Sequence, residues 1–170
     1  AVTNAIMIWS LHFTHTLVHP TASVMKHAAL RLFALNVAIV GVLGGYTARV
    51  SAVTAAAAGL LVIVLAAHGT MLVRAIRTKQ MPRFAVTVRF YGAAVLALIF
   101  GVGIGVALSV GVPASWYGRL VVAHVHANIF GWIALTVIGT EVGFWPMVLR
   151  TRIAAGAEDV ARHALPLCTG

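Results

Sequence analysis

The sequence predicts an all-α protein, a polytopic bundle of about five transmembrane helices. Of its 170 residues, 61% are hydrophobic and only 9% are charged, whereas soluble domains are roughly 45–50% apolar and about 25% charged. The mean hydropathy is +1.00, and the long apolar runs lack the alternation that a barrel strand requires. Because lipid offers no hydrogen bonds to the backbone, such runs span a membrane as helices.

Five apolar segments predict the helices of a single transmembrane domain that covers residues 1–170. A hydrocarbon core about 30 Å thick requires about 20 apolar residues per helix, and the segments approach or reach this length. Short connections between them favour antiparallel neighbours in one bundle. The predicted helices comprise residues 1–19, 28–45, 52–73, 88–110 and 120–144.

Prolines mark the ends of most of these helices. Pro20 follows the first segment, and Pro82 lies in the basic stretch between the third and the fourth. Pro113 follows the fourth segment and Pro146 the fifth. A missing N–H and a fixed φ prevent a helix from continuing at these positions.

The formal net charge of +9 would suggest nucleic acid for a soluble protein, but the basic residues lie at helix ends and instead indicate orientation. Under the positive-inside rule, the strongly basic loops and the C-terminus are predicted to be cytoplasmic. The cytoplasmic set comprises Lys26, Arg31, Arg74, Arg77, Lys79, Arg83, Arg89, Arg150, Arg152 and Arg162, and the outer set comprises Arg49 and Arg119. The aromatic residues predicted at the membrane interfaces are Tyr46, Trp116 and Tyr117 outside and Tyr91 and Trp145 inside.

The predicted partners follow from this placement. The protein is expected to be integral to the cell membrane or another energy-transducing membrane, in contact with lipids and without nucleic acid. We expect it to form part of a larger membrane protein or complex, packed against other subunits or further helices of the same polypeptide. The sequence does not identify a redox partner.

Eight histidines in so apolar a chain are the main functional signal, because an ionisable side chain in hydrocarbon is costly. His12, His15 and His19 follow i, i+3, i+7 spacing, which places them on one face of the first helix. Such a face can hold a metal or contact the edge of a haem. Alternatively, His19 is interfacial and His15 hydrogen-bonds a neighbouring helix, so that only His12 is deep.

Three further histidines are weaker candidates. His68 lies in the third predicted helix, where it is either a cofactor ligand or a hydrogen-bond donor to a carbonyl. His27 and His163 lie in polar flanks and are predicted to be solvated. The single cysteine, Cys168, excludes an internal disulfide and a thiolate metal cluster.

His124 and His126 are the strongest candidate pair. Two residues correspond to about 200° of helical rotation, so the two rings point to nearly opposite faces of the fifth helix. One helix can therefore serve two metal sites, or one site and one structural hydrogen bond. A zinc protease is disfavoured because no glutamate flanks the pair as a base.

The stretch Leu120-Val121-Val122-Ala123-His124-Val125-His126, followed by Gly131, Gly139, Phe144 and Pro146, resembles the tenth helix of the haem-copper oxidase catalytic subunit. The preceding glycine-rich stretch, Gly101-Val102-Gly103-Ile104-Gly105, is similar to that family's ninth helix. The resemblance implies that His124 binds a high-spin haem or a metal and that His126 binds a low-spin haem. The sequence has no adjacent histidine pair, such as that family's copper site uses.

Three hypotheses follow for the function. The first is a haem-binding, oxidase-like electron-transfer protein of the membrane, an oxidoreductase subunit with histidine axial ligands and a b-type haem. The second is a copper-binding or copper-handling membrane protein that uses histidines with Met7, Met25 or Met71. The third is a structural subunit of a respiratory-type complex. The candidate cofactor ligands are His124, His126, His12, His15 and His68, and the candidate metal ligands are His124, His126, His12, His15 and His19.

Overall fold

The computed structural model describes residues 2–18, 22–77, 85–150 and 156–169, and it confirms an all-α bundle. Each of the five predicted segments is helical, and a further short helix follows near the C-terminus. The helices are α1 (Val2–Val18), α2 (Ala22–Thr47), α3 (Ser51–Arg77), α4 (Ala85–Val110), α5 (Ala114–His126), α6 (Leu135–Val148) and α7 (Ala157–Thr169). A π-helical segment, Ala127–Ala134, joins α5 to α6.

Among the described residues, four helical stretches are long and apolar enough to cross a membrane, so the chain is an integral membrane protein. They are His27–Thr47, Ser51–Arg74, Val86–Val110 and Ala114–Pro146. The apolar part of α1, Val2–Phe13, is shorter than these. The predicted count of five is therefore met by four full-length candidate spans and one shorter apolar helix.

Helix α4 is the centre of the bundle. It packs against α3 on one side and against α5, the π segment and α6 on the other. Phe90 and Ala94 of α4 are completely buried, and Tyr91 is 1% exposed. The Tyr91 hydroxyl lies 2.9 Å from Oγ1 of Thr140 in α6, so the Tyr91 side chain points into the bundle and joins α4 to α6.

Helices α2 and α3 form a closely packed hairpin. The turn between them is closed by the N–H of Val50, which donates to the carbonyl of Gly45 at 2.9 Å. A Cβ built on Gly45 would lie 2.6 Å from the backbone nitrogen of Thr54. Glycine is therefore what allows the backbones of the two helices to approach at this point.

The π segment gives the last long span a wider, irregular turn directly after His126. Its π geometry is shown where the N–H of Leu135 donates to the carbonyl of Phe130, five residues earlier. The segment packs on α4, and a Cβ built on Gly131 would overlap the side chain of Ala97. Single-turn π distortions occur frequently at functional sites.

Candidate haem cavity

A cavity of about 430 Å³ lies among α2, α3, α4 and α5, at the end of the bundle where α2 joins α3 and α4 joins α5. Most of its lining is apolar and comes from all four helices, as at Leu43, Leu61, Leu98 and Val121. This volume lies within the range of about 300–1,000 Å³ typical of ligand pockets. The polar side chains that line the cavity are Thr3, Tyr46, Thr54, Ser109, Tyr117, His124 and Asn128.

His124 is the histidine that lines this cavity. Its Nδ1 lies 2.8 Å from the carbonyl oxygen of Gly101 in α4. A carbonyl can only accept a hydrogen bond, so Nδ1 carries the proton and the neutral ring keeps a free lone pair on Nε2. Metal-ligating histidines almost always have this arrangement, with the second ring nitrogen donating to a carbonyl or a carboxylate.

Small residues of α4 make room for the His124 ring. A Cβ built on Gly105 would lie 3.0 Å from Cε1 of His124, tighter than ordinary van der Waals contact. The absence of a side chain at Gly105 therefore leaves the space in which the imidazole ring lies. The half-buried ring is positioned between a hydrogen bond at Gly101 and a contact at Gly105.

Asn128 is a polar residue of the site that the sequence reasoning missed. Its amide donates to the carbonyl of His124 at 2.7 Å, and a Cβ on Gly101 would lie 2.9 Å from its nitrogen. It lines the same cavity. The available signal was its position four residues after His124, which places both on one helix face.

His126 lies outside the cavity, on an exposed part of the same helix. Its Nδ1 donates to the carbonyl of Val122 at 2.9 Å, and its ring centroid is 5.1 Å from that of Phe130. Nε2 of this ring also keeps its lone pair. The structure therefore places the two rings of the His-x-His motif on different sides of α5.

The remaining candidate ligands do not join His124. His68 is 1% exposed, and its Nε2 lies 3.0 Å from the hydroxyl of Ser10, an interaction that ties α3 to α1. His12 is exposed on α1. The side chain of His15 and the whole of His19 lie outside the described residues, so the predicted face of three histidines is not tested.

The described part of the chain contains no group of three or more His, Cys, Asp or Glu side chains that could hold a metal ion. Of the methionines proposed for copper, Met71 instead accepts a hydrogen bond on its sulfur from the guanidinium of Arg31 at 3.0 Å. Met7 is buried in the core. The side chain of Met25 lies outside the described residues. The arrangement best suited to bind a ligand is thus a single imidazole at an apolar cavity.

A single imidazole at an apolar cavity can bind an iron or copper centre that has its other ligands elsewhere, or it can act as a hydrogen-bonding group. The choice between these roles depends on the geometry just described. No protein-family model, no curated protein and no solved structure matches this chain.

Proposed function

We propose that the protein is a haem-binding integral membrane protein of electron transfer, in which His124 would hold the haem iron from the wall of the cavity. The observation that carries the proposal is the hydrogen bond from Nδ1 of His124 to Gly101. In the neutral ring it fixes the tautomer that leaves Nε2 as the ligand atom.

The lining of the cavity matches the apolar body of a porphyrin in polarity. Its walls are aliphatic on α2, α3 and α4, and such walls exclude water and set the redox potential of a buried iron. Among the described residues, His124 is the only histidine that lines it, so we propose a haem with one protein ligand. When bound, the haem supplies one-electron chemistry, and the chain's residues hold and orient it.

The resemblance to the haem-copper oxidase catalytic subunit supports the same assignment. That family's first histidine of the motif binds the high-spin haem, which has a single protein ligand, and His124 occupies this position. His126 occupies the position of the low-spin haem ligand. Because its ring is exposed here, we propose that a second haem at His126 requires helices from a partner membrane protein.

Haem titration of variants tests the proposal. Purified apoprotein in nanodiscs is titrated with haem, and the Soret band reports binding. We expect the wild type to bind one cavity haem and His124→Ala to lose it while keeping its helical circular dichroism. His126→Ala is the matched control, two residues away on the same helix, and is expected to retain the cavity haem.

A rescue experiment separates ligation from packing. His124→Gly leaves space for free imidazole, which should restore the spectrum of a histidine-ligated haem when added to the variant. Undiminished haem binding by His124→Ala would refute the proposal. In that case the hydrogen bond from His124 to Gly101 would serve only to join α5 to α4.

A further inference from the structure

A second cavity, of about 420 Å³, lies next to the haem cavity at the end of the bundle where α2 joins α3. Tyr46, Thr54 and Ser109 line both cavities, so the two are neighbours that share a wall. The additional lining of the second is polar and includes Thr47, Arg49 and Ser51. We call it the Arg49 cavity.

Arg49 is exposed and, among the described residues, has no neutralising partner. The only acidic residues of the sequence are Glu141, Glu158 and Asp159, and all three lie beyond the helices that form the Arg49 cavity. Among the described residues, no carboxylate lies within ion-pair distance of Arg49, since the ion pair that is present joins Arg162 to Asp159. An unpaired guanidinium in a polar cavity favours an anionic ligand.

The backbone also holds Arg49 in a position that glycine usually fills. Arg49 has φ 56°, the left-handed conformation of a helix C-terminus, where glycine is the commonest residue. The conformation directs the chain from α2 into α3 and keeps Arg49 at the cavity rather than within a regular helix. Its side chain is therefore attached to a fixed turn next to the site.

The two cavities together have the polarity of an amphiphile. One is apolar and holds a candidate iron ligand, and its neighbour is polar and holds an arginine. We infer that the Arg49 cavity binds the carboxylate groups of the ligand whose apolar body fills the haem cavity. This inference rests on the proposed function: with a haem at His124, the groups are its two propionates. Arg49 lies outside the stretch that resembles the oxidases.

Arg119 provides a matched control for charge. It is the other basic residue predicted on the same side of the membrane, and its guanidinium carbon lies 5.7 Å from the centroid of the Trp116 ring. It lines neither cavity. Replacing it removes one positive charge from the same end of the molecule without touching the proposed site.

The experiment compares two ligands on four proteins. Haem and haem dimethyl ester, whose carboxylates are masked, are titrated into the wild type and into the Arg49→Gln, Arg49→Lys and Arg119→Gln variants in zwitterionic nanodiscs. We expect Arg49→Gln to weaken haem binding about tenfold or more, as for a lost charge-assisted hydrogen bond. Arg49→Lys should restore part of the affinity, and Arg119→Gln should leave it unchanged.

The ester distinguishes loss of the ion pair from general damage. The wild type should bind the ester about as weakly as Arg49→Gln binds haem, and Arg49→Gln should bind the ester no more weakly than the wild type does. If Arg49→Gln weakens haem and ester equally, or weakens neither, the inference is overturned while haem binding at His124 stands.

A lipid probe tests the Arg49 cavity independently if the proposed haem binding fails. If the wild type binds no haem, the same proteins are titrated with the fluorescent fatty acid cis-parinaric acid and with its methyl ester. Binding of the acid that depends on Arg49 would keep the anion site and assign its carboxylate to a lipid. Absence of any Arg49-dependent binding in both titrations would overturn the inference together with the proposed function.

Discussion

Nδ1 of His124 is hydrogen-bonded to the carbonyl of Gly101. This bond leaves Nε2 as the ring nitrogen that can bind a ligand. A histidine in a membrane helix can donate its ring N–H to a carbonyl of its own helix, as His126 does to Val122. His124 instead bonds a neighbouring helix, so its orientation depends on how α4 and α5 pack. The same contact that stabilises the bundle therefore fixes the ligand geometry.

Gly105→Ala is predicted to weaken haem binding without unfolding the protein. The added methyl would lie 3.0 Å from Cε1 of His124, so the ring must shift and its bond to Gly101 lengthens. Disturbing such an outer partner of a metal ligand typically costs about 10–100-fold in affinity. Haem titration and thermal unfolding measure the two effects.

Gly103→Ala is the matched control for that substitution. It lies on the same helix, and a Cβ there meets nothing within 4 Å. Its haem affinity should equal that of the wild type. Equal losses in the two variants would mean that α4 flexibility, and not the seat of the His124 ring, controls binding.

At the scale of elements, the sequence predicts where helices form better than it predicts which face of each helix contacts a neighbour. The apolar runs gave all five helices, because the length needed to cross lipid is a property of the run itself. The π segment has no such local signature, and it arises where Gly131 packs against Ala97 of α4. Likewise, the sequence does not show that the Tyr91 side chain faces α6, where its hydroxyl lies 2.9 Å from Oγ1 of Thr140.

The α2–α3 hairpin offers a sharp test of close packing. Gly45→Ala would place a methyl 2.6 Å from the backbone nitrogen of Thr54. This clash involves backbone, so no change of side-chain rotamer can relieve it. We expect a destabilisation of about 1–3 kcal/mol, as for other overpacked sites. Unfolding in sodium dodecyl sulfate, followed by circular dichroism, measures the change.

Gly44→Ala is the neighbouring control, since a Cβ at Gly44 meets nothing within 4 Å. Alanine is the better helix former, so stability should stay equal or rise. A loss in Gly44→Ala as large as that in Gly45→Ala would contradict the packing explanation.

At the scale of the whole molecule, charge is distributed between the two ends of the bundle. The end with the haem cavity carries Arg49 and Arg119, and the remaining basic residues are predicted at the other end. The positive-inside rule then predicts that the proposed haem cavity lies near the outer face of the membrane. An electron donor or acceptor in the outer compartment would have the shorter path to it.

Thiol labelling tests this orientation. The natural chain has one cysteine, Cys168, predicted on the cytoplasmic side. In intact cells, a membrane-impermeant maleimide should label Cys168 only after permeabilisation. Ala48→Cys, in the α2–α3 turn and in a Cys168→Ser background, should be labelled without it. The reverse pattern would invert the proposed topology.

The sequence by itself determined the class of the protein and the approximate positions of its helices, because apolar length is a property of a single segment. Pro113 precedes α5 as expected, but the stop predicted at Pro146 is wrong, since α6 continues through Pro146 to Val148. Only the tertiary structure decided that His124 lines the cavity of about 430 Å³ while His68 and His126 do not line it, and that Arg49 lies at an adjoining one. These outcomes depend on which faces of α2, α3, α4 and α5 meet. The faces that meet are set by contacts between segments distant in sequence, such as Gly105 against His124. The sequence of one helix alone does not determine such contacts.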